Sequence, residues 1–434
     1  MRSTLSSGRL RRIIAAYTVN RLGTWIGTIA LSLAVFDHTH SAPAVAAVLI
    51  AAQVLPAFAV PALVAHVEAS RRGRELSALY FFETVVTTVL AFSLSSFWLP
   101  LVLLLVALDG TAALAASALL RTAAAKTARE DIREDQDPQA AEQRANAAIN
   151  VAFSGTFVLG PVVAGLLVAS AGAATALFAD AATFLIAGIL LIEFNSHVEE
   201  AGSESVAARL RTAWRHVRAA PALRGLLLAQ AVALVFFESA TPIEIAYVKR
   251  TLHGGNSGYG YLVGVWGVGV VLGSIAFVRM GRKRLGLLVS VGTFMIGAAY
   301  VGFAAAPTMI LAGVAATVGG VGNGLQLGPL ISAIQTLTPE ALQGRVMGAL
   351  EAIGALSPAI GLGMGGLLVA LTSPRFAFGF VGVGAVLATW GFARVHVDRI
   401  PAADLVRPAA PDAQAPGAAP AALPVGELGA RCDS

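Results

Sequence analysis

The chain has 434 residues, of which 56% are hydrophobic and only 13% charged, with a mean hydropathy of +0.75. A water-soluble fold of this size needs more charge to coat its surface, so the balance points to a polytopic membrane protein whose outside faces lipid. The formal net charge of +5 is then no nucleic-acid footprint in itself, and Cys432, the one cysteine, excludes disulfides within the chain and cysteine-based metal sites.

Charge-poor segments of about 20 residues are the length a membrane helix needs. The basic start, "MRSTLSSGRLRR", leads into an apolar run too long for a signal-peptide core and without a convincing cleavage site, so 13–36 is expected to be a retained first span. Further spans are expected at 43–66, 76–95, 97–120, 146–170 and 172–193. After a polar segment come 224–248, 258–278, 285–305, 307–336, 346–371 and 375–393, twelve spans in all. The expected organisation is an N-terminal six-helix half (1–193), a central loop (194–223), a C-terminal six-helix half (224–396) and a tail (397–434). In the loop, "SVAARLRTAWRHVRAAPALRGLL" reads as an amphipathic helix on the inner surface. The tail, "PAADLVRPAAPDAQAPGAAPAALPVG", is disordered by composition.

Lys and Arg orient the spans, because cytoplasmic loops hold the excess of both. With the N-terminus inside, only Lys249, Arg250 and Arg375 of the 30 basic residues fall in outer loops, and Arg21 lies within the first span. Both termini are therefore expected in the cytoplasm of a multi-pass plasma-membrane protein, and the basic surplus is a topology signal rather than a nucleic-acid site.

The chain also repeats itself. "RANAAINVAFSGTFVLGPVVAGLLVA" (144–169) aligns without a gap on "RVMGALEAIGALSPAIGLGMGGLLVA" (345–370) at an offset of 201. Arg144 meets Arg345, Gly160 meets Gly361 and Gly165 meets Gly366, so spans 5 and 11 are equivalent and the chain is two related halves. Paired halves with a site between them near the bilayer midplane are a transporter architecture.

These stretches, with "NRLGTWIGTIALSLAVFDHTHSA" and "ALDGTAALAASALLRTAA", resemble the major facilitator superfamily over about residues 12–396. The resemblance is to the branch that contains the enterobactin exporter and macrolide-efflux proteins. It implies an all-α membrane fold of twelve helices in two pseudo-symmetric six-helix halves. It also implies that Gly155, Gly160, Pro161, Ala164 and Gly165 form the superfamily's span-5 antiporter motif. Gly160 and Ala164 are one turn apart, so their face lets another helix approach closely. Pro161 removes a backbone donor and bends the span. A bent, smooth helix that rocks against the other half is the expected gate.

The inner loops depart from the superfamily pattern. "PALVAHVEASRRGREL" keeps Arg71, Arg72, Gly73 and Arg74 but has Ala62 and His66 near the usual Gly and Asp places. "GSIAFVRMGRKR" keeps Gly273, Arg279, Gly281, Arg282 and Lys283 without an acid. The span-4 arginine motif of proton-coupled drug exporters is absent, and Asp109–Gly110 lies in that helix instead.

Ionisable groups inside a bilayer are costly and so are functional candidates by default. By resemblance, spans 1, 4, 7 and 10 line the pathway, which selects Asn20, Arg21, Asp109, Gln230, Glu238, Asn323 and Gln326. Arg21 and Asp109 lie at matching depths, about 13 Å and about 12 Å from the inner edge, so they are expected to pair. Glu83 and Asp180 lie on helices expected at the periphery and read as structural. Glu351, the repeat mate of Asn150, is a coupling candidate because one half gains a charge where the other has an amide.

"GVGVVLG", "GNGLQLG" and "GLGMGG" mimic phosphate loops, but each lies inside a span, where small residues serve helix packing. The sequence contains no HExxH, GxSxG or Cys/His metal spacing, so no enzyme, cofactor or metal site is expected. The expected function is secondary active transport by a monomer: proton-coupled antiport of a small amphipathic compound such as a drug, antibiotic or siderophore. A proton-coupled uptake symporter and a non-transporting membrane sensor or scaffold are the rivals. Desolvation favours the neutral form of a carboxyl, which lets a cavity acid trade protons near neutral pH. The charge asymmetry makes a direct prediction: a reporter fused after residue 200 reads as cytoplasmic, and an extracytoplasmic reading overturns the topology.

Overall fold

The structure is a computed structural model, and it describes residues 8–53, 56, 74–130, 138–192, 194, 215, 217–280, 285–338 and 340–393. Every long element among them is a helix, as a lipid-exposed chain requires, because a helix satisfies its own backbone donors and acceptors. The first four are α1 (Gly8–Thr39), α2 (Ala42–Gln53), α3 (Glu75–Ser93) and α4 (Leu99–Glu130). The stretch Pro138–Leu190 is broken at Gly172, whose φ of 83° lies in the left-handed region that glycine tolerates. It is therefore two helices, α5 over 138–171 and α6 over 173–190.

The second set begins with α7 (Pro221–Ala246), which ends in a π-helical turn at Tyr247–Thr251. It continues with α8 (Gly255–Met280), α9 (Leu285–Ala305), α10 (Met309–Thr336), α11 (Glu340–Leu371) and α12 (Pro374–Ala393). Eight helical stretches among the described residues are long and apolar enough to cross a membrane, and Ala42–Gln53, Leu356–Leu371 and Pro374–Thr389 are shorter apolar ones. Helical segments thus stand within the expected spans, several overrunning their boundaries, while most of 54–66 of the second span lies outside the described residues. Helix α1 starts at Gly8 and α4 runs on to Glu130, where Arg9 and Glu130 pair at 3.2 Å. A charge ends an apolar window, but it does not end a helix whose last turns reach the polar edge of the bilayer.

Helix α1 packs chiefly on the α5–α6 stretch, which also carries α3 and α4. In the second set α10 lies between α8 and α9, while α11 and α12 lie on α7. The false phosphate loops explain part of this packing. A Cβ on Gly269 would stand 2.9 Å from Gly320 Cα, and one on Gly273 3.1 Å from Gly324 Cα. The bare stripes of α8 and α10 therefore meet backbone to backbone, as small residues allow in lipid. Side chains such as Phe92, Leu166, Ile310 and Leu371 point outward and are exposed, the apolar coat that lipid calls for.

Contacts between the sets run through α5 against α8, α2 against α11 and the far end of α1 against α7. The Gly165–Gly260 crossing is the tightest of these: a Cβ on Gly260 would fall 2.8 Å from Gly165 Cα. The expected rocking face of α5 is corrected here. Gly160 does not face the other set; it lies against Trp25 of α1, where a Cβ would meet the indole Cδ1 at 2.5 Å. Ala164 is fully buried and Gly155 is exposed with open space around it. The reason is angular: Gly160 and Gly165 are five residues apart, so they leave the helix in different directions.

Candidate transport site

A cavity of about 320 Å³ lies between the two sets of helices. Helices α1, α2 and α5 line one side with Trp25, Thr28, Ser32, Gln53 and Pro161. Helices α7, α8 and α9 line the other with Phe237, Glu238, Thr241, Glu244, Tyr259, Trp266 and Tyr300. Phe237, Trp266 and Tyr300 form one aromatic strip. Trp266 stacks on Tyr300 with centroids 6.0 Å apart and lies 6.1 Å from Phe237, whose carbonyl accepts from the Tyr300 hydroxyl at 3.5 Å.

Each wall depends on a small residue behind it. Gly160 leaves room for the Trp25 side chain against α5, and Gly361 of α11 lies 2.9 Å, measured from a built Cβ, from Glu238 Cβ. Neither Glu238 nor Glu244 has a hydrogen bond or ion pair among the described residues. The lining holds no Lys, Arg or His among the described residues. The titratable groups within electrostatic range are phenols: Tyr259 and Tyr300 for Glu244, and Tyr300 for Glu238.

A second cavity of about 190 Å³ opens inside the second set and shares Phe237 and Glu238 with the first. Gln230, Thr293, Asn323 and Gln326 line it. The Gln326 amide donates to Gln230 at 3.3 Å and to Thr293 at 3.0 Å. Four residues selected from sequence, Gln230, Glu238, Asn323 and Gln326, are thus brought to one place. Asn20 is half-buried on α1 and lines neither cavity.

The expected Arg21–Asp109 pair is not formed. The Arg21 guanidinium lies over Phe153 of α5, 5.4 Å from the ring centroid, with its Nε buried and unbonded. Asp109 instead accepts from the Thr87 hydroxyl of α3 at 3.1 Å. Matching depth set the distance along the helices but not the direction around them, and α1 turns Arg21 toward α5 rather than α4. Asp109 lies within electrostatic range of Glu83 and Asp180, and it lines neither cavity. Glu83 and Asp180 are 0% and 5% exposed, turned inward from α3 and α6, whose outer faces expose Val85, Phe92 and Ile189. The Asp180 carboxyl fills a notch that Gly23 and Gly27 leave in α1.

Glu351 lies in α11, with its side chain outside the described residues, as are those of Arg144 and Arg345. Of the inner-loop motifs, Arg74 precedes α3 and Arg279 ends α8, both exposed. Arg71, Arg72, Gly73, Gly281, Arg282 and Lys283 lie outside the described residues, as do most of 194–223 and all of 397–434.

Sequence reasoning missed the contacts that join the two sets beside the cavity. At the end of the bundle carrying 37–43, Lys249 pairs with Asp37 and the Arg250 guanidinium donates to the His40 carbonyl. Both cations stand over the Phe36 ring, at 5.9 Å and 5.3 Å from its centroid. Arg375, at the same end, donates to the Ala304 carbonyl at 2.9 Å. The signal was present: these three cations are the exceptions to the charge rule, and each is held by a specific contact.

A helical membrane bundle with a cavity between two helix sets is the architecture of a transporter. Comparison with known proteins places it. The family model described as "Transmembrane secretion effector", of the major facilitator type, matches residues 3–406, and the chain belongs to that family. It is 24% identical over 385 residues to the uncharacterized MFS-type transporter YfiS of Bacillus subtilis (strain 168), covering 85% of this chain and 88% of that one. The nucleoside transporter NupG superposes with a TM-score of 0.65 at 12% identity, over 90% of this chain and 99% of that one. A bacterial homologue of the iron transporter ferroportin, in an inward-facing state, gives 0.68, at 15% identity over 89% and 98%. The protein is a membrane transporter of the major facilitator type and not an enzyme.

The contacts at the 37–43 end of the bundle yield a prediction. A solvent-accessible ion pair contributes about 0.2–1 kcal/mol, so Asp37→Asn raises the open population by up to about fivefold. The readout is labelling of Thr241→Cys, in a Cys432→Ser background, by an impermeant maleimide applied from that face. Labelling accelerates in Asp37→Asn and is partly slowed again by Asp37→Lys with Lys249→Asp. Equal rates in all three would show that the pair holds nothing closed.

Proposed function

We propose that the protein is a proton-coupled exporter of small amphipathic compounds, with twelve spans in two six-helix halves and both termini in the plasma-membrane cytoplasm. The observation that carries this reading is Glu238, an unpaired carboxyl in both cavities, one of them between the helix sets. A carboxyl with no protein partner is neutralised by a proton or by a positively charged group on a ligand. Exchange of one for the other at Glu238 is antiport. Glu244 is the second exchanging group, and Asp109 on α4, bonded to Thr87, serves as a proton carrier that senses its acidic neighbours. The resemblance to enterobactin and macrolide exporters supports the outward direction, and the small residues of the α5 motif support movement of one half on the other.

Everted membrane vesicles test the direction as well as the coupling. Respiration acidifies their lumen and quenches acridine orange; ethidium and chloramphenicol are then added outside as a cationic and a neutral probe. The proposal expects one or both probes to restore fluorescence in vesicles bearing the protein, with the response lost in Glu238→Gln. An uptake symporter responds only to a probe loaded inside, and a sensor or scaffold responds to neither. Either of those results rejects the proposal.

A further inference from the structure

The cavity between the helix sets combines three features that together specify a ligand chemistry. First, it holds two carboxyls, Glu238 and Glu244, and neither has a hydrogen-bond or ion-pair partner among the described residues. Second, no Lys, Arg or His among the described residues lines it, so none of their side chains supplies the missing positive charge. Third, five aromatic side chains stand in the wall: Trp25, Phe237, Tyr259, Trp266 and Tyr300.

We propose that this cavity is a binding site for bulky, weakly hydrated organic cations, such as quaternary ammonium, phosphonium or delocalised iminium compounds. The statement deepens the transport reading and rests on it for the claim that the bound compound is cargo. An unpaired carboxylate in a low-dielectric site is strongly unfavourable, and a cation removes that penalty. Aromatic faces attract a cation through their quadrupole, most strongly when its hydration shell is thin. A small, strongly hydrated ammonium ion gains less there, because its own water must be stripped first. A cavity of about 320 Å³ takes one compound of drug size. The remaining polar groups, Thr28, Ser32, Gln53 and Thr241, are neutral and can orient a ligand without opposing its charge. An anionic siderophore would meet two acids and no base among the described residues, so that class is the one the site rejects. Entry of the cation and entry of protons are mutually exclusive at the same carboxyls, which is what antiport needs.

Two probes of nearly equal shape and opposite charge isolate the claim. Purified protein in nanodiscs is titrated with tetraphenylphosphonium and, separately, with tetraphenylborate. Quenching of tryptophan fluorescence is read against empty nanodiscs, in a chain whose Trp98, Trp214 and Trp390 are replaced by Phe so that Trp25 and Trp266 report. The cation binds at least about tenfold more tightly than the anion, and Glu238→Gln and Glu244→Gln each weaken it by about tenfold. Both variants keep the shape of the side chain, and a melting curve and gel filtration confirm that each is folded. Where one variant does not fold, the other and the charge comparison on the native chain decide. Equal binding of the two ions, tighter binding of the anion, or no change in both folded variants overturns the proposal. Those results leave transport itself standing, because the vesicle assay includes a neutral probe and needs no purified binding site.

Discussion

Helices in lipid gain nothing by hiding apolar surface from one another, since lipid tails are as apolar as leucine. What holds them in register is close backbone approach at small residues, and in this chain that constraint also builds the cavity. Gly160 seats α5 on α1 and leaves room for the Trp25 side chain. Its repeat mate Gly361 seats α11 on α7 behind Glu238. Gly165 and Gly260 then bring α5 and α8 together across the two sets. Each wall of the cavity therefore rests on a position with no side chain, and a methyl group at any of these sites must displace a neighbour.

On that frame the charges are unevenly spread. The first helix set buries Glu83, Asp109 and Asp180 within range of one another, while the buried cation Arg21 is turned onto Phe153. The second set presents Glu238 and Glu244 to a wall of aromatic rings. The cations of this set that could have neutralised them lie outside the cavity lining. Acids thus line the cavity, while Lys249 and Arg250 stand where the end of α7 meets the end of α1.

Most of the fold was legible because it follows from local rules. Charge-poor windows placed the helices, and the glycine stripes of α8 and α10 pointed to helix packing, which their contact bears out. The repeat at an offset of 201 anticipated that α5 and α11 pack alike, each on the first helix of its set. The cavity residues Gln230, Glu238, Asn323 and Gln326 were found because polar groups are rare in a span. Direction around a helix was harder to read, because apolar faces toward lipid and toward protein use the same residues. That is why Arg21 was assigned to Asp109 and Gly160 to the opposite half. The aromatic wall was hidden for the same reason: Trp25, Trp266 and Tyr300 look like any apolar residue until the helices are packed. Glu244, within sight of Glu238 in the sequence, gained its meaning only from the cavity they share.

The central claim is that proton and cargo compete for the same cavity carboxyls. Proton release on ligand binding tests it most directly. Purified protein in weakly buffered solution at neutral pH, with a pH-indicating dye, is mixed with tetraphenylphosphonium. The account predicts that protons appear in solution as the cation binds, and that the release disappears in the Glu238→Gln, Glu244→Gln double variant. Binding of the cation to the native chain with no release of protons would contradict it.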